Sequence, residues 1–156
     1  GFSLIELMVT VVIIGILAAV VIPSYRDHIR RGTLPQAFAT LSDMRVKLEQ
    51  FYQSNRRYGT VGPTVGPIVP CANDGTGPKI DFTAASAPTS GRFTYSCRLT
   101  GTTAFPDQAY ELMAVGSTGP AVGHIFTLDS NNVRSTTMFK GDVVSRQCWL
   151  VVGGEC

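Results

Sequence analysis

Glu6 is the one formally charged side chain between Phe2 and Ile22, a run of 21 residues reading FSLIELMVTVVIIGILAAVVI. A carboxylate at the centre of a bilayer costs about 2.5–3.5 kcal/mol on insertion scales, so it must either snorkel to the interface or find a cation. No Lys or Arg lies within two helical turns. The available cation is an α-amino group at a chain start, on the same subunit or on another. A second chemistry belongs to Cys71, Cys97, Cys148 and Cys156. None forms the close Cys-x-x-Cys pair of a zinc site, and an even count outside the cytoplasm points to two disulfides, for which three connectivities are open. His28, beside Asp27, and His124, within a strand-like run, are expected to be ordinary surface or interface residues rather than general bases. No nucleophile elbow, phosphate loop or HExxH motif occurs. Asn73-Asp74-Gly75 and Asp129-Ser130-Asn131-Asn132 carry oxygen ligands at too low a density for an EF-hand loop and read as turns. No catalytic residue, metal or cofactor is therefore expected. Ser86, Thr89 and Ser90 beside Pro88 are possible O-glycan acceptors, exposed loop being the stronger reading.

These groups must be positioned by a chain of 156 residues, 44% apolar and only 15% charged, with a mean hydropathy of +0.17. That length suits one domain, and that apolar content excludes disorder. The charge deficit is local. All 13 Lys and Arg lie beyond Pro23, and seven of them fall between Ser24 and Arg57 against three acids, so this stretch carries +4 while the rest, after Arg57, carries −1. The total of +2 is too modest for a general nucleic-acid-binding charge. As a helix, 21 residues measure about 31 Å, close to the roughly 30 Å hydrocarbon core of a bilayer. The run exceeds a signal-peptide core and no small-residue cleavage stretch follows it, so a spanning helix is expected. Arg26, Arg30 and Arg31 at its C-terminal end would by themselves face the cytoplasm, in conflict with the disulfides.

Gly1-Phe2-Ser3-Leu4-Ile5-Glu6-Leu7, continued through Gly15 to Pro23-Ser24-Tyr25, resembles the class III signal and N-terminal helix of type IV pilins. The resemblance covers about the first thirty residues. It implies cleavage by a prepilin peptidase between Gly1 and Phe2, methylation of the Phe2 amine, residence in the inner membrane, and polymerisation into an extracellular helical filament by the pilus assembly machinery. It also implies that Glu6 neutralises the N-terminal amine of a neighbouring subunit. The segment from Gly15 to Pro23, bracketed by two helix-weakening residues, is expected to lose helical order in the filament.

The expected fold is α+β: a long N-terminal helix packed on an antiparallel sheet. Its parts are an apolar segment (1–23), an amphipathic helix (24–58), an αβ-loop (59–92), and a sheet with a C-terminal disulfide loop (93–156). Apolar residues at Tyr25, Ile29, Leu34, Ala37, Phe38, Leu41, Met44, Leu48, Phe51 and Tyr52 follow helical spacing, with Arg45, Lys47, Glu49 and Gln50 on the polar side. Gly32 and Pro35 predict a bend or break between Arg31 and Gln36. The 98 residues from Gly59 hold 13 Gly and 7 Pro, a composition of turns and strands. A tandem Thr-Val-Gly-Pro at 60–67 opens a long loop, and strand-like runs fall at 93–99, 109–115, 124–128 and 133–139. The favoured disulfides are Cys71–Cys97, tying loop to strand, and Cys148–Cys156, closing a loop through Trp149 like those of type IVa pilins.

The functional expectation is a pilus subunit serving adhesion, twitching motility or DNA uptake, its surface meeting DNA or a host or abiotic surface. The basic helix face is expected to make ion pairs between subunits. The alternative is a minor or competence pilin that binds DNA through exposed bases in loops near Lys79, Arg92, Arg98 or Lys140. A type II secretion pseudopilin and a monomeric membrane-anchored binding domain are weaker alternatives.

Overall fold

The computed structural model describes residues 1, 3–60, 71–77, 79, 80, 92–153, 155 and 156. Phe2, residues 61–67 of the tandem Thr-Val-Gly-Pro, Gly154, and Ser86, Pro88, Thr89 and Ser90 lie outside the described residues. Helix α1 (Leu4–Asn55) begins where Ser3 accepts the Glu6 N–H on its side chain at 3.3 Å. It ends at Arg56, whose left-handed backbone directs its N–H to the Tyr52 carbonyl at 2.7 Å. At 52 residues it is about 78 Å long.

Of the bend or break expected between Arg31 and Gln36, no break occurs: α1 runs through Pro23 and Pro35. Proline removes one helical hydrogen bond, but Thr33, Leu34, Ala37, Thr40 and Leu41 are buried on both sides of Pro35. Packing of that face onto the sheet outweighs the local penalty.

Five strands, β1 (Phe93–Leu99), β2 (Tyr110–Gly116), β3 (Ile125–Asp129), β4 (Arg134–Phe139) and β5 (Asp142–Arg146), pair antiparallel in chain order. Tyr95, Leu112, Ala114, Phe126 and Leu128 point inward and meet Leu34, Leu41, Met44, Leu48 and Phe51 of α1 in one core. The Asp129–Asn132 turn is pinned by the Val133 N–H donating to Asp129 Oδ1 at 2.7 Å. Strand β5 was not expected from the sequence. It pairs with β4 through Lys140-Gly141, both at positive φ, the backbone that a two-residue hairpin turn demands. Both disulfides form the expected pairs, Cys71–Cys97 and Cys148–Cys156. Cys71 and Cys97 are buried in the core, so this bridge ties the start of the loop region to β1.

Candidate functional site

From Leu4 to Ile22 none of the large apolar side chains is buried among the described residues, their exposure running from 51% (Ile22) to 80% (Leu4). Fully removing one such side chain from water is worth about 1.5–3 kcal/mol, so these fourteen represent on the order of 20 kcal/mol before ordering costs. This part of α1 is long and apolar enough to cross a membrane. Glu6 sits exposed in its first turn and makes no ion pair among the described residues. Gly15 and Pro23 lie exposed within the same continuous helix.

The bases expected near the head loops are mostly committed elsewhere. Lys79 pairs with Asp74 at 3.2 Å, and Arg98, a strand residue, forms an ion pair with Glu111. Arg92 donates to Thr33 Oγ1 at 2.8 Å, bracing β1 on α1. Lys140 remains exposed and forms no ion pair among the described residues. Asp74 is occupied within its turn: hydrogen bonds from the Thr76 hydroxyl and N–H hold its carboxyl down at about 2.

A different cationic site forms where β4 meets the C-terminal loop. The Arg134 guanidinium lies 4.8 Å from the Trp149 ring centre, and Trp149 stacks on Phe38 at 4.7 Å. The indole N–H donates to the Thr127 carbonyl at 2.9 Å. Thr136 donates to the Cys148 carbonyl at 2.6 Å and accepts the Leu150 N–H at 3.1 Å, fastening the loop that Cys148–Cys156 closes. Asn132 and Gln147 line the same cleft of about 470 Å³. The result is an exposed arginine resting against an aromatic stack, with two amides lining the same cleft. Trp149 beside Cys148 was visible in sequence, but its partner lies fifteen residues away across a hairpin.

Two polar residues depart from expectation. Glu49, placed on the solvated helix face, instead accepts from the hydroxyls of Tyr58 (3.1 Å) and Tyr110 (3.2 Å). Burial, then the Glu49 charge, pushes the Tyr58 hydroxyl up to about 12, and the same causes raise Tyr110. His124, expected as a surface or interface residue within a strand, is 2% exposed in the turn before β3, its Nδ1 facing the carbonyls of Ala121 (3.0 Å) and Val122 (3.1 Å). His28 is exposed. Among the described residues no group of three or more His, Cys, Asp or Glu is arranged to hold a metal.

Residues 1–22 match the prokaryotic N-terminal methylation motif, and residues 23–123 match the family described as type IV minor pilin ComP, DNA uptake sequence receptor. The chain belongs to that pilin family. It is also similar to the fimbrial protein of Moraxella nonliquefaciens, 41% identical over 56 residues and 36% of each chain. Fimbrial protein EcpC of Eikenella corrodens is 40% identical over 52 residues, 33% of this chain and 34% of that one. A fimbrial protein of Dichelobacter nodosus is 32% identical over 103 residues, covering 64% of this pilin and 63% of its relative. The pilin thus spans about a third of the length of the first two relatives. Arg134 and Trp149 lie beyond the span matched to the minor-pilin family, and Phe38 lies within it.

Proposed function

We propose that this pilin is a filament subunit whose helix serves in two settings. Cut between Gly1 and Phe2 by a prepilin peptidase and methylated on the Phe2 amine, it rests in the inner membrane with its head outside the cytoplasm. The assembly machinery then moves it into an extracellular helical pilus, where Leu4 to Ile22 bury against neighbouring subunits. The observation that carries this reading is the wholly exposed apolar length of α1, which requires lipid or other helices around it. Glu6 pairs with a neighbour's amine, and the stretch between Gly15 and Pro23 unwinds on leaving the membrane. In sheared fibres the subunit is expected to begin at methylated Phe2 by mass spectrometry. Glu6→Ala is expected to lower its abundance there at least tenfold with membrane levels unchanged. An intact leader, or undiminished incorporation of the variant, would overturn the reading.

Within that filament, the family's description as a DNA uptake sequence receptor favours a DNA-binding head over an adhesive one. Arg134 supports this reading, because an exposed guanidinium beside Trp149 fits a phosphate or the O6/N7 edge of guanine, and Asn132 and Gln147 offer amides to neighbouring groups. Duplex retention by the detergent-solubilised pilin is expected to fall steeply between 50 and 200 mM salt, as phosphate-dominated binding does. Arg134→Gln is expected to weaken it about tenfold, toward the lower end of the roughly 1–3 kcal/mol range of a specific contact. Retention unaffected by both salt and the substitution would remove the DNA reading while leaving the filament reading intact.

A further inference from the structure

The head meets α1 at its foot, where residues 117–124 connect β2 to β3. This connection holds a single turn of 3-10 helix, Gly119–Ala121, and folds back so closely that Gly116 has no room for a side chain against the Ala121 carbonyl. The Gly116 N–H donates to the His124 carbonyl, and the Gly141 N–H to the Gly123 carbonyl, both at 2.9 Å. Gly123 turns at φ +80, and a Cβ there would stand 2.7 Å from the Gly141 nitrogen. The connection, the β4–β5 turn and α1 thus close on one another. Beside their seam lies a second cleft, of about 790 Å³, bordered by Arg26, Asp27, Arg30, Val122, His124 and Lys140 among others.

His124 is the buried titratable group of this seam. Its ring meets Phe139 edge to face at 5.0 Å and stacks on Phe126 at 6.2 Å, and Phe139 in turn lies 5.6 Å from the Arg30 guanidinium. Because Nδ1 faces two carbonyls, which only accept, Nδ1 carries the proton of the neutral ring. Nε2 is then an acceptor, buried with no partner among the described residues. Protonating it would make a buried cation whose N–H also lacks an acceptor, which is far more costly than an unmet lone pair. The surrounding charges add to that cost. Arg26, Asp27 and Arg30 border the cleft from α1 and Lys140 from the β4–β5 turn, while residues 117–123 have no titratable side chain. Asp27, the one carboxylate among them, is already paired with Arg30 at 3.0 Å. Arg30 is itself buried, with Nε and Nη2 lacking an acceptor among the described residues, so no anion is spare for a second buried cation.

Burial above all holds the imidazole below its ordinary value; the Ala121 and Val122 carbonyls oppose this, and Arg30 and Lys140 reinforce it. The direction of the pH response follows. When the connection opens into water, the ring takes a proton near the ordinary value of about 6.5, whereas the closed ring stays neutral to lower pH. Well above about pH 6.5 the ring is neutral in both forms and the closed form keeps its full stability. As pH falls below that value, the open population rises by up to about tenfold per unit, until the closed ring itself protonates. At pH 5, one histidine can therefore raise the open population by about thirtyfold at most.

We propose that His124 is an acid-released latch between the head and α1. Neutral, the ring packs beneath residues 117–123 and keeps them closed on the helix; protonated, it leaves the seam and takes the connection with it. The buried stripe of α1 from Leu34 to Phe51 packs on the sheet without a histidine, so the core of the head stays closed. Acid thus loosens the head only at its foot, where it joins the bare apolar part of α1. Opening also brings His124 and Arg30 to the surface beside the exposed Lys140, so that the loosened foot presents three cations. The device operates within one subunit and needs neither filament nor DNA.

Hydrogen exchange of the full pilin in detergent, read by mass spectrometry at pH 7, 6 and 5 and corrected for the intrinsic pH dependence of exchange, tests the latch. Peptides carrying the Gly116, His124 and Gly141 N–H groups, each bonded within this seam, are expected to lose protection about five- to thirtyfold between pH 7 and 5, with β1 unchanged. His124→Phe keeps a ring in place and is expected to abolish the loss. Lys140→Gln, on an exposed side chain, is expected to reduce it about twofold, because the closed ring then takes its proton more readily. His28→Gln is expected to leave it unchanged, which assigns the response to one of the two histidines. Seam protection that does not vary with pH, a loss that persists in His124→Phe, or an equal loss in β1 would overturn the proposal. Should His124→Phe fail to fold, nitrogen NMR of the wild-type imidazole decides instead. A His124 ring that titrates at or above about pH 6.5 while the seam stays protected would overturn the latch equally.

Discussion

A half-buried carboxylate is usually a liability, and Glu49 shows how one is accommodated: two tyrosine hydroxyls donate to it, while Tyr58 stacks on Tyr52 at 4.7 Å and meets Tyr110 edge to face at 4.6 Å. Removing it leaves two largely buried hydroxyls without their acceptor. Glu49→Ala is expected to cost about 2–3 kcal/mol in chemical denaturation, the scale of hydrogen bonds to a charged group. The same cluster sets an alkaline limit. Tyr58 holds its proton to about 12 when folded but ionises near 10 when unfolded. Its contribution is therefore complete below about pH 10 and is lost as pH rises toward about 12. Melting temperature followed from pH 9 to 12 is expected to fall across that window, and to fall less steeply in Glu49→Gln. Periodicity placed Glu49 on the polar face because it sees only the angle around the helix, and no local pattern announces two tyrosines arriving from a loop and from β2.

For the elements, helical spacing from Leu34 to Phe51 located the buried stripe well, since every third or fourth residue there is apolar and the sheet takes that side. Leu41 and Leu48 are fully buried, whereas Val46 is 54% exposed. Leu41→Ala is expected to lose about 2–5 kcal/mol, and Val46→Ala well under 1 kcal/mol, in paired denaturation experiments. Pro35 misled the reading in the opposite way: its penalty is local and visible, while the packing of Leu34 and Ala37 that overrides it comes from distant residues. Four strands were legible from their apolar runs and turn residues. Strand β5 was not, because Asp142-Val143-Val144-Ser145-Arg146 lies at the sheet edge with mostly exposed side chains and carries little burial pattern.

The whole molecule has two dissimilar halves on one helix, a packed head and a bare apolar rod. The rod's estimated 20 kcal/mol of unmet burial exceeds the entire stability of a typical domain, about 5–15 kcal/mol. The full pilin is expected to self-associate in water and to run as a monomer in detergent, with the head's circular dichroism unchanged; analytical ultracentrifugation decides it. The head faces a different demand, and Cys71–Cys97 answers part of it by closing a loop of 26 residues' separation. Both clefts described above arise where separate elements meet, one at the C-terminal loop and one at the foot of the head.

Residue content, spacing and the resemblance they carry determined that one end of this chain is incompatible with water, that a carboxylate sits there with no Lys or Arg within two turns, and that the rest folds as a helix on a disulfide-linked sheet. Those are properties of local residue content and spacing, which the chain carries whatever it packs against. Tertiary structure decided that α1 continues through Pro35, that Glu49 and His124 turn inward, and that Arg134 is stacked on Trp149. Each depends on residues brought together from distant parts of the chain, and the energy of a contact resides in the pair rather than in either residue's place in the sequence.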